Sequence, residues 1–205
     1  MEVIEFIDES HTYIKNGIIV PSVSDILKFI FPNKYDGIPR HILNAKAEWG
    51  THIHDAIEKY NNGEEFNLTQ LEMQTFNEYV RLKKEHNIKV LSQEEMISYG
   101  YEYCGRLDSI SIVDGYVTLL DYKTTSKLDK ESLSWQLSMY ALGSQIQEYE
   151  RYACIWLPKK EQARIVDITP KPKKEILDML KAYREYKEGM ESERHDSIDD
   201  FLNKI

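Results

Sequence analysis

Three carboxylates and an ammonium group crowd one short stretch of this chain, Cys104–Thr124, which reads CGRLDSISIVDGYVTLLDYKT. Asp114-Gly115 separates two runs rich in β-branched and apolar residues, the strongest short-range signal for a two-residue hairpin turn. A turn closed there pairs Val113 with Tyr116. Counting outward sets Asp108 opposite Asp121 and Arg106 opposite Lys123. Directly opposed side chains have Cβ atoms roughly 4.5–5.5 Å apart, and like charges there destabilise a sheet. A divalent cation held between the two carboxylates would offset that repulsion. The competing readings are two solvated aspartates at an exposed sheet end, or a β-bulge that shifts the register.

The rest of that face sharpens the cation reading. Ile110 and Ile112 share it with Asp108, and Val117 and Leu119 share it with Asp121, so it is apolar near the turn and charged at the far end. A like-charged pair at the edge of a core face is partly desolvated and marks a candidate functional site. Asp121-Tyr122-Lys123 sets a carboxylate and an ammonium two positions apart, on one face of a strand. Lys123 beside two acids stays charged and suits a developing negative charge. Gln136 and Tyr140, four apart on a following helix, share a face.

With His54 on an earlier helix, these residues resemble the PD-(D/E)XK nuclease superfamily, and within it the RecB-like exonuclease group. That group is marked by a helical histidine, a G-x-x-D strand, a D-x-K strand and a Q-x-x-x-Y helix. This chain has His54, Gly105-Arg106-Leu107-Asp108, Asp121-Tyr122-Lys123 and Gln136-Leu137-Ser138-Met139-Tyr140, in that order. The opening, with Asp8, His11-Thr12-Tyr13, Gly17 and Pro21-Ser22-Val23-Ser24, looks like that of phage-type members.

The resemblance implies an α/β fold with an αβββαβ core over roughly residues 49–157, a central mixed sheet flanked by helices. It implies hydrolysis of DNA phosphodiesters, and more narrowly an exonuclease working on DNA ends in recombination, repair or phage DNA processing. Asp108, Asp121, His54 and the Tyr122 backbone carbonyl would bind one or two Mg²⁺ or Mn²⁺ ions, hard cations that prefer oxygen, with the histidine favouring Mn²⁺. Lys123 would orient or deprotonate water, or stabilise charge, and Gln136 would position Lys123 or the substrate. Tyr140 would contact the strand, with Arg106 beside Asp108 and Thr124 after Lys123 as further substrate contacts. The Thr124-Thr125-Ser126 run is equally a loop that satisfies itself. The rivals are a structure-specific endonuclease, a catalytically silent nucleic-acid-binding or assembly module, and a metal-dependent hydrolase of RNA or nucleotides.

Composition sets bounds. A length of 205 residues, 41% hydrophobic and 30% charged, suits one soluble globular domain. The expected organisation is residues 1–40 as an N-terminal hairpin and short helix, 41–168 as the nuclease core, and 169–205 as a C-terminal helix with a polar tail. The acidic opening lacks the apolar run of a secretion signal, and no stretch approaches a membrane span. The two cysteines, Cys104 and Cys154, read as buried thiols and cannot build a four-cysteine iron–sulfur cluster. A reducing compartment follows, and the resemblance implies the cytoplasm of a bacterial or phage-infected cell. The net charge of −9 argues against indiscriminate nucleic-acid binding, so local basic residues or a partner would hold the DNA. Relatives work with a recombinase, a strand-annealing protein or a helicase, and a homo-oligomer is left open. Lys159-Lys160 and Lys171, Lys173 and Lys174 are the densest positive stretches.

The positioning elements follow from pattern. Alternation over Phe6–Val20, broken at Asn16-Gly17, predicts a hairpin, and Ser22 or Ser24 caps a short helix ending at Ile30. Trp49, Ile53, Ala56, Ile57 and Tyr60 give a helix over about 41–60 its buried stripe, with His54 beside it and His52 nearly opposite. Gly50 would let a backbone or substrate approach. Further helices are expected over about 69–86, 131–146 (with a Trp135, Met139, Leu142 stripe) and 171–189. Strands are expected over 90–99, 149–157 and 163–168. Glu94 or Glu95 offers a further carboxylate.

Overall fold

Turn chemistry accounts for the first elements of the computed structural model, which describes residues 3–144, 146 and 148–202. Strands β1 (Ile4–Ile7), β2 (Thr12–Lys15) and β3 (Ile18–Val20) form an antiparallel sheet in that order. Asn16 and Gly17 both take positive φ, 48° and 82°, as a tight two-residue hairpin turn requires. The expected hairpin thus gains a third strand, β1. Ser22 caps α1 (Val23–Ile30) and forms a capping box with Asp25.

Helices α2 (Arg40–Asn62) and α3 (Gln70–Glu85) cover one face of a second sheet. Gly63, at φ 74°, ends α2 in the left-handed conformation, and a Thr69–Glu72 capping box starts α3. That sheet holds β4 (Lys89–Tyr99), β5 (Tyr103–Val113), β6 (Tyr116–Lys123), β7 (Arg151–Trp156) and β8 (Arg164–Asp167), in that spatial order. All neighbours are antiparallel except β6 and β7. A parallel pair needs a crossover, and α4 (Lys130–Gly143) supplies it. The fold is therefore mixed α/β, with a five-stranded mixed sheet at its centre.

The main core joins Ile53, Ala56 and Ile57 of α2 and Phe76, Tyr79 and Leu82 of α3 to Leu120, Tyr122, Ala153 and Ile155 of the sheet. Alternation then puts Asp121, Lys123, Cys154 and Trp156 on the opposite face. Helix α4 packs against both α1 and the sheet. It buries Leu133, Leu137, Met139 and Tyr140, whereas Trp135 is only partly buried and donates its indole N–H to Glu131. The expected Trp135, Met139, Leu142 stripe fails because a helix enclosed on two sides has no single buried stripe.

Residues up to Pro170 form one unit, and a second begins at Lys171. The second contains α5 (Lys173–Leu202), which continues past Gly189, where the sequence predicts a stop. One interior glycine costs a helix only about 1 kcal/mol relative to alanine, and the Glu, Lys, Arg and Met residues around it favour helix.

Candidate active site

The ladder between β5 and β6 has the register expected from the Asp114-Gly115 turn, and its last pair is Ser109↔Leu120. Asp114 and Gly115 take φ values of 53° and 95°. Beyond Leu120 the expected pairing fails. On the other side of β6 the parallel ladder to β7 continues, pairing Asp121, Tyr122 and Lys123 with Cys154, Ile155 and Trp156. The Asp108 carboxylate fills the gap, with Oδ2 accepting the Tyr122 backbone N–H at 2.7 Å. Asp108 and Asp121 are thus neighbours at the end of a ladder rather than a cross-strand pair. Arg106 is not paired with Lys123, because the β5–β6 ladder stops short of it; on its other side it pairs with Met96 of β4. Its guanidinium lies 2.8 Å from Glu94 and stacks 5.2 Å from the centre of the Phe6 ring.

Asp121 is wholly buried, at 0% exposure. Lys123 Nζ donates to its Oδ1 at 2.8 Å and lies 2.7 Å from Oδ2, which makes no aligned hydrogen bond. Burial pushes the Asp121 carboxyl up to about 6; Lys123 opposes the shift and Asp108 adds to it. Burial works to discharge Lys123, but Asp121 and Asp108 outweigh it and raise its pKa. His54 is 28% exposed, with Nδ1 3.7 Å from Asp108 Oδ2. Its ring meets that of Tyr122 edge-on, with centroids 5.7 Å apart.

The choice between Glu94 and Glu95 is resolved by geometry. Glu95 is exposed. Glu94 lies between the pairs Gln93↔Ser109 and Glu95↔Leu107, and so faces Asp108 across the sheet. It holds a φ of 54°, which a non-glycine residue in mid-strand rarely adopts. Burial, then the Asp108 charge, push its carboxyl up to about 7 against the pull of Arg106. No local pattern in the sequence singles it out. Its position follows from how β4 meets β5, including the irregularity between Val90 and Ser92.

Gln136 Nε2 donates to the Tyr140 hydroxyl at 3.1 Å. Tyr140 is 7% exposed, and burial together with Asp108 and Asp121 raises its pKa. Thr124 lies beside α2: a Cβ on Gly50 would sit 3.5 Å from its hydroxyl, an ordinary contact. Thr125 is satisfied within its own loop by the Lys127 carbonyl, at 2.8 Å. His52 joins Glu72 at 2.8 Å, tying α2 to the start of α3.

Among the described residues, no three His, Cys, Asp or Glu side chains are gathered into a ready metal-holding group. The donor chemistry nonetheless suits a hard cation. Asp108 and Asp121 repel each other, and one buried Asp121 oxygen has no aligned donor.

A family model described as the PD-(D/E)XK nuclease superfamily matches residues 48–202. No curated protein matches the chain significantly. The solved structure described as "Crystal structure of SSO0001" is similar at 15% identity and a TM-score of 0.38, covering 79% of this chain and 73% of that one.

Proposed function

Because the chain belongs to the PD-(D/E)XK nuclease superfamily, we propose that it is a metal-dependent deoxyribonuclease that hydrolyses phosphodiester bonds at DNA ends, in recombination, repair or phage DNA processing. The observation that carries this reading is the ion pair between buried Asp121 and half-buried Lys123, beside Asp108 at the ladder's end. Asp108, Asp121, the Tyr122 backbone carbonyl and His54 would hold Mg²⁺ or Mn²⁺. A bound ion would supply Lewis acidity toward the phosphate and lower the pKa of water.

The remaining roles fall to the chain itself. Lys123 is kept charged by Asp121 and Asp108, which suits a cation that stabilises the phosphate's developing charge better than a base. Asp121 fixes the direction of that ammonium through its 2.8 Å hydrogen bond. Gln136 and Tyr140, bonded to each other, offer polar atoms to the strand. Arg106, held between Glu94 and Phe6, and Thr124 complete the substrate contacts of this reading. Among the described residues, no helix is long and apolar enough to cross a membrane; the cytoplasm is part of the proposal.

The test is degradation of end-labelled linear DNA with Mg²⁺, Mn²⁺ or EDTA, run beside Asp121→Ala and Lys123→Ala. Label should be lost only with metal and only with the unsubstituted protein, and a circular substrate should resist. Cleavage by Lys123→Ala at the normal rate would remove the mechanism, and cleavage of the circle would remove the requirement for ends.

A further inference from the structure

Lys123 begins a lateral row across the sheet. Its partner on β7 is Trp156, and the partner of Trp156 on β8 is Arg164. Neighbouring strands lie about 4.8 Å apart, so the row reaches roughly 10 Å from Lys123 on the face that carries Asp121. At its far end lies a concavity of about 320 Å³, lined by Ser126, Lys127, Lys130, Trp156, Glu161 and Arg164 among others. This volume falls at the small end of ligand pockets.

The charge and stiffness of this concavity suit phosphate. Three cations line it against one acid, Glu161, in a chain whose net charge is −9. Arg164 is partly countered, since Glu161 lies 3.8 Å away. Its guanidinium carbon lies 4.4 Å from the centre of the Trp156 ring, and Nη1 donates to the Gln162 carbonyl at 3.4 Å. Trp156 is fixed in turn by its indole N–H, which donates to the Thr125 carbonyl at 2.7 Å. A planar fork held in place presents paired donors to a phosphate at less entropic loss than a free side chain. An acidic chain repels a polyanion at long range, so a strand must be held by local cations.

We propose that this concavity between the β6–α4 loop and the β7–β8 pair is a phosphate subsite, holding a backbone phosphodiester of the strand whose scissile bond lies at Lys123. The subsite rests on the nuclease reading for its purpose, but its binding can be measured separately. Arg164, Lys127 and Lys130 grip the backbone without reading bases, so the subsite is indifferent to sequence.

The experiment is fluorescence anisotropy of a labelled partial duplex with a single-stranded tail, in EDTA, over a series of NaCl concentrations. The proteins are wild type, Lys127→Gln/Lys130→Gln, Arg164→Gln, and Lys127→Arg/Lys130→Arg, followed by cleavage kinetics with Mn²⁺. The glutamine variants should raise Kd about tenfold and flatten the log Kd–log salt slope by about 0.7–0.9 per lost contact. The arginine variant should restore both, and KM should rise more than kcat falls. Wild-type binding and KM in the glutamine variants, with Lys123→Ala inactive, would overturn the subsite and leave the nuclease standing. Loss of binding in those variants, with no cleavage by wild type in either metal, would support the subsite and remove the nuclease reading. A wild-type protein that does not bind the DNA would overturn the subsite outright.

Discussion

Gly105 and Tyr140 occupy one space: a Cβ built on the glycine would lie 2.9 Å from Tyr140 Cε1. The same Cβ would meet Val23 Cγ2 at 3.1 Å and Ile97 Cδ1 at 3.3 Å. The glycine of the G-x-x-D strand is therefore there for the tyrosine of the Q-x-x-x-Y helix. Two motifs separated along the chain are one packing unit, which sets the Tyr140 hydroxyl within reach of Gln136.

Gly105→Ala should destabilise the protein by roughly 1–3 kcal/mol, the usual range for overpacking a filled site. Tyr140→Phe should not relieve the strain, because Cε1 remains, whereas Tyr140→Leu should. Urea unfolding of the single and double variants checks this. Additive losses in Gly105→Ala/Tyr140→Leu would show that the two positions are not coupled.

The hairpin was legible because Asp114-Gly115 supplies two residues that tolerate positive φ, a purely local requirement. The start of α1 was legible as a choice between Ser22 and Ser24, of which Ser22 is the cap, and the helix expected from about residue 69 begins just after its cap, Thr69. The features that the sequence hid depend on distant partners. Counting outward from the turn assumes that the β5–β6 ladder runs on, but it ends at Ser109↔Leu120, and beyond it the Tyr122 N–H goes to the Asp108 side chain. Asp108 and Asp121 were correctly brought together, while the Arg106–Lys123 contact, one step further, was not. Glu94 could not be chosen over Glu95 because the irregularity of β4 near Val90 is set by its contact with β5. The buried sides of α4 depend on α1, which no helical period reports.

Glu72 makes the acid side of the stability profile testable. Hydrogen bonds from the Thr69 side chain and backbone, then His52, hold its carboxyl down at about 2. A depressed folded pKa contributes stability that is present above the unfolded value near 4.5 and is lost as pH falls toward 2. Glu72→Gln should therefore lose about 1 kcal/mol at pH 6, typical of a broken cap, and converge on wild type near pH 2. Urea midpoints across that range measure it. A constant gap from pH 6 to pH 2 would contradict the assignment.

Lys123 is tested by stability as well as by cleavage. Lys123→Ala removes the ammonium that opposes the upward shift of the buried Asp121 carboxyl. A carboxyl with a raised folded pKa contributes stability that is full below its unfolded value and is lost as pH rises through the folded one, about 6 in the intact protein. Without Lys123 that loss continues to higher pH. The variant should be destabilised by about 3–5 kcal/mol at pH 8, the usual consequence of orphaning a buried charge, and by much less at pH 5. Lys123→Ala/Asp121→Asn should remove the pH dependence. Equal destabilisation at pH 5 and pH 8 would show that the pair is not coupled in this way.

Glu94 is the residue whose conformation most needs a reason. It keeps a left-handed φ opposite Asp108, where a regular strand residue would avoid the strain. Its carboxyl is pushed up to about 7, chiefly by burial and then by Asp108. The folded protein therefore retains a proton that the unfolded chain releases above about 4.5, so this stabilising contribution is full below that pH and fades as pH rises through 7. Glutamine imitates the protonated form and does not titrate. Each tenfold change in proton affinity is worth about 1.36 kcal/mol, and partial solvent screening reduces the sum. Glu94→Gln should match wild type near pH 4.5 and exceed it by roughly 2–3 kcal/mol at pH 8. Chemical denaturation of both proteins at pH 4.5, 6, 7 and 8 is the measurement. A gap that does not widen between pH 4.5 and pH 8 would mean that Glu94 is solvated like any strand acid and stands outside the site.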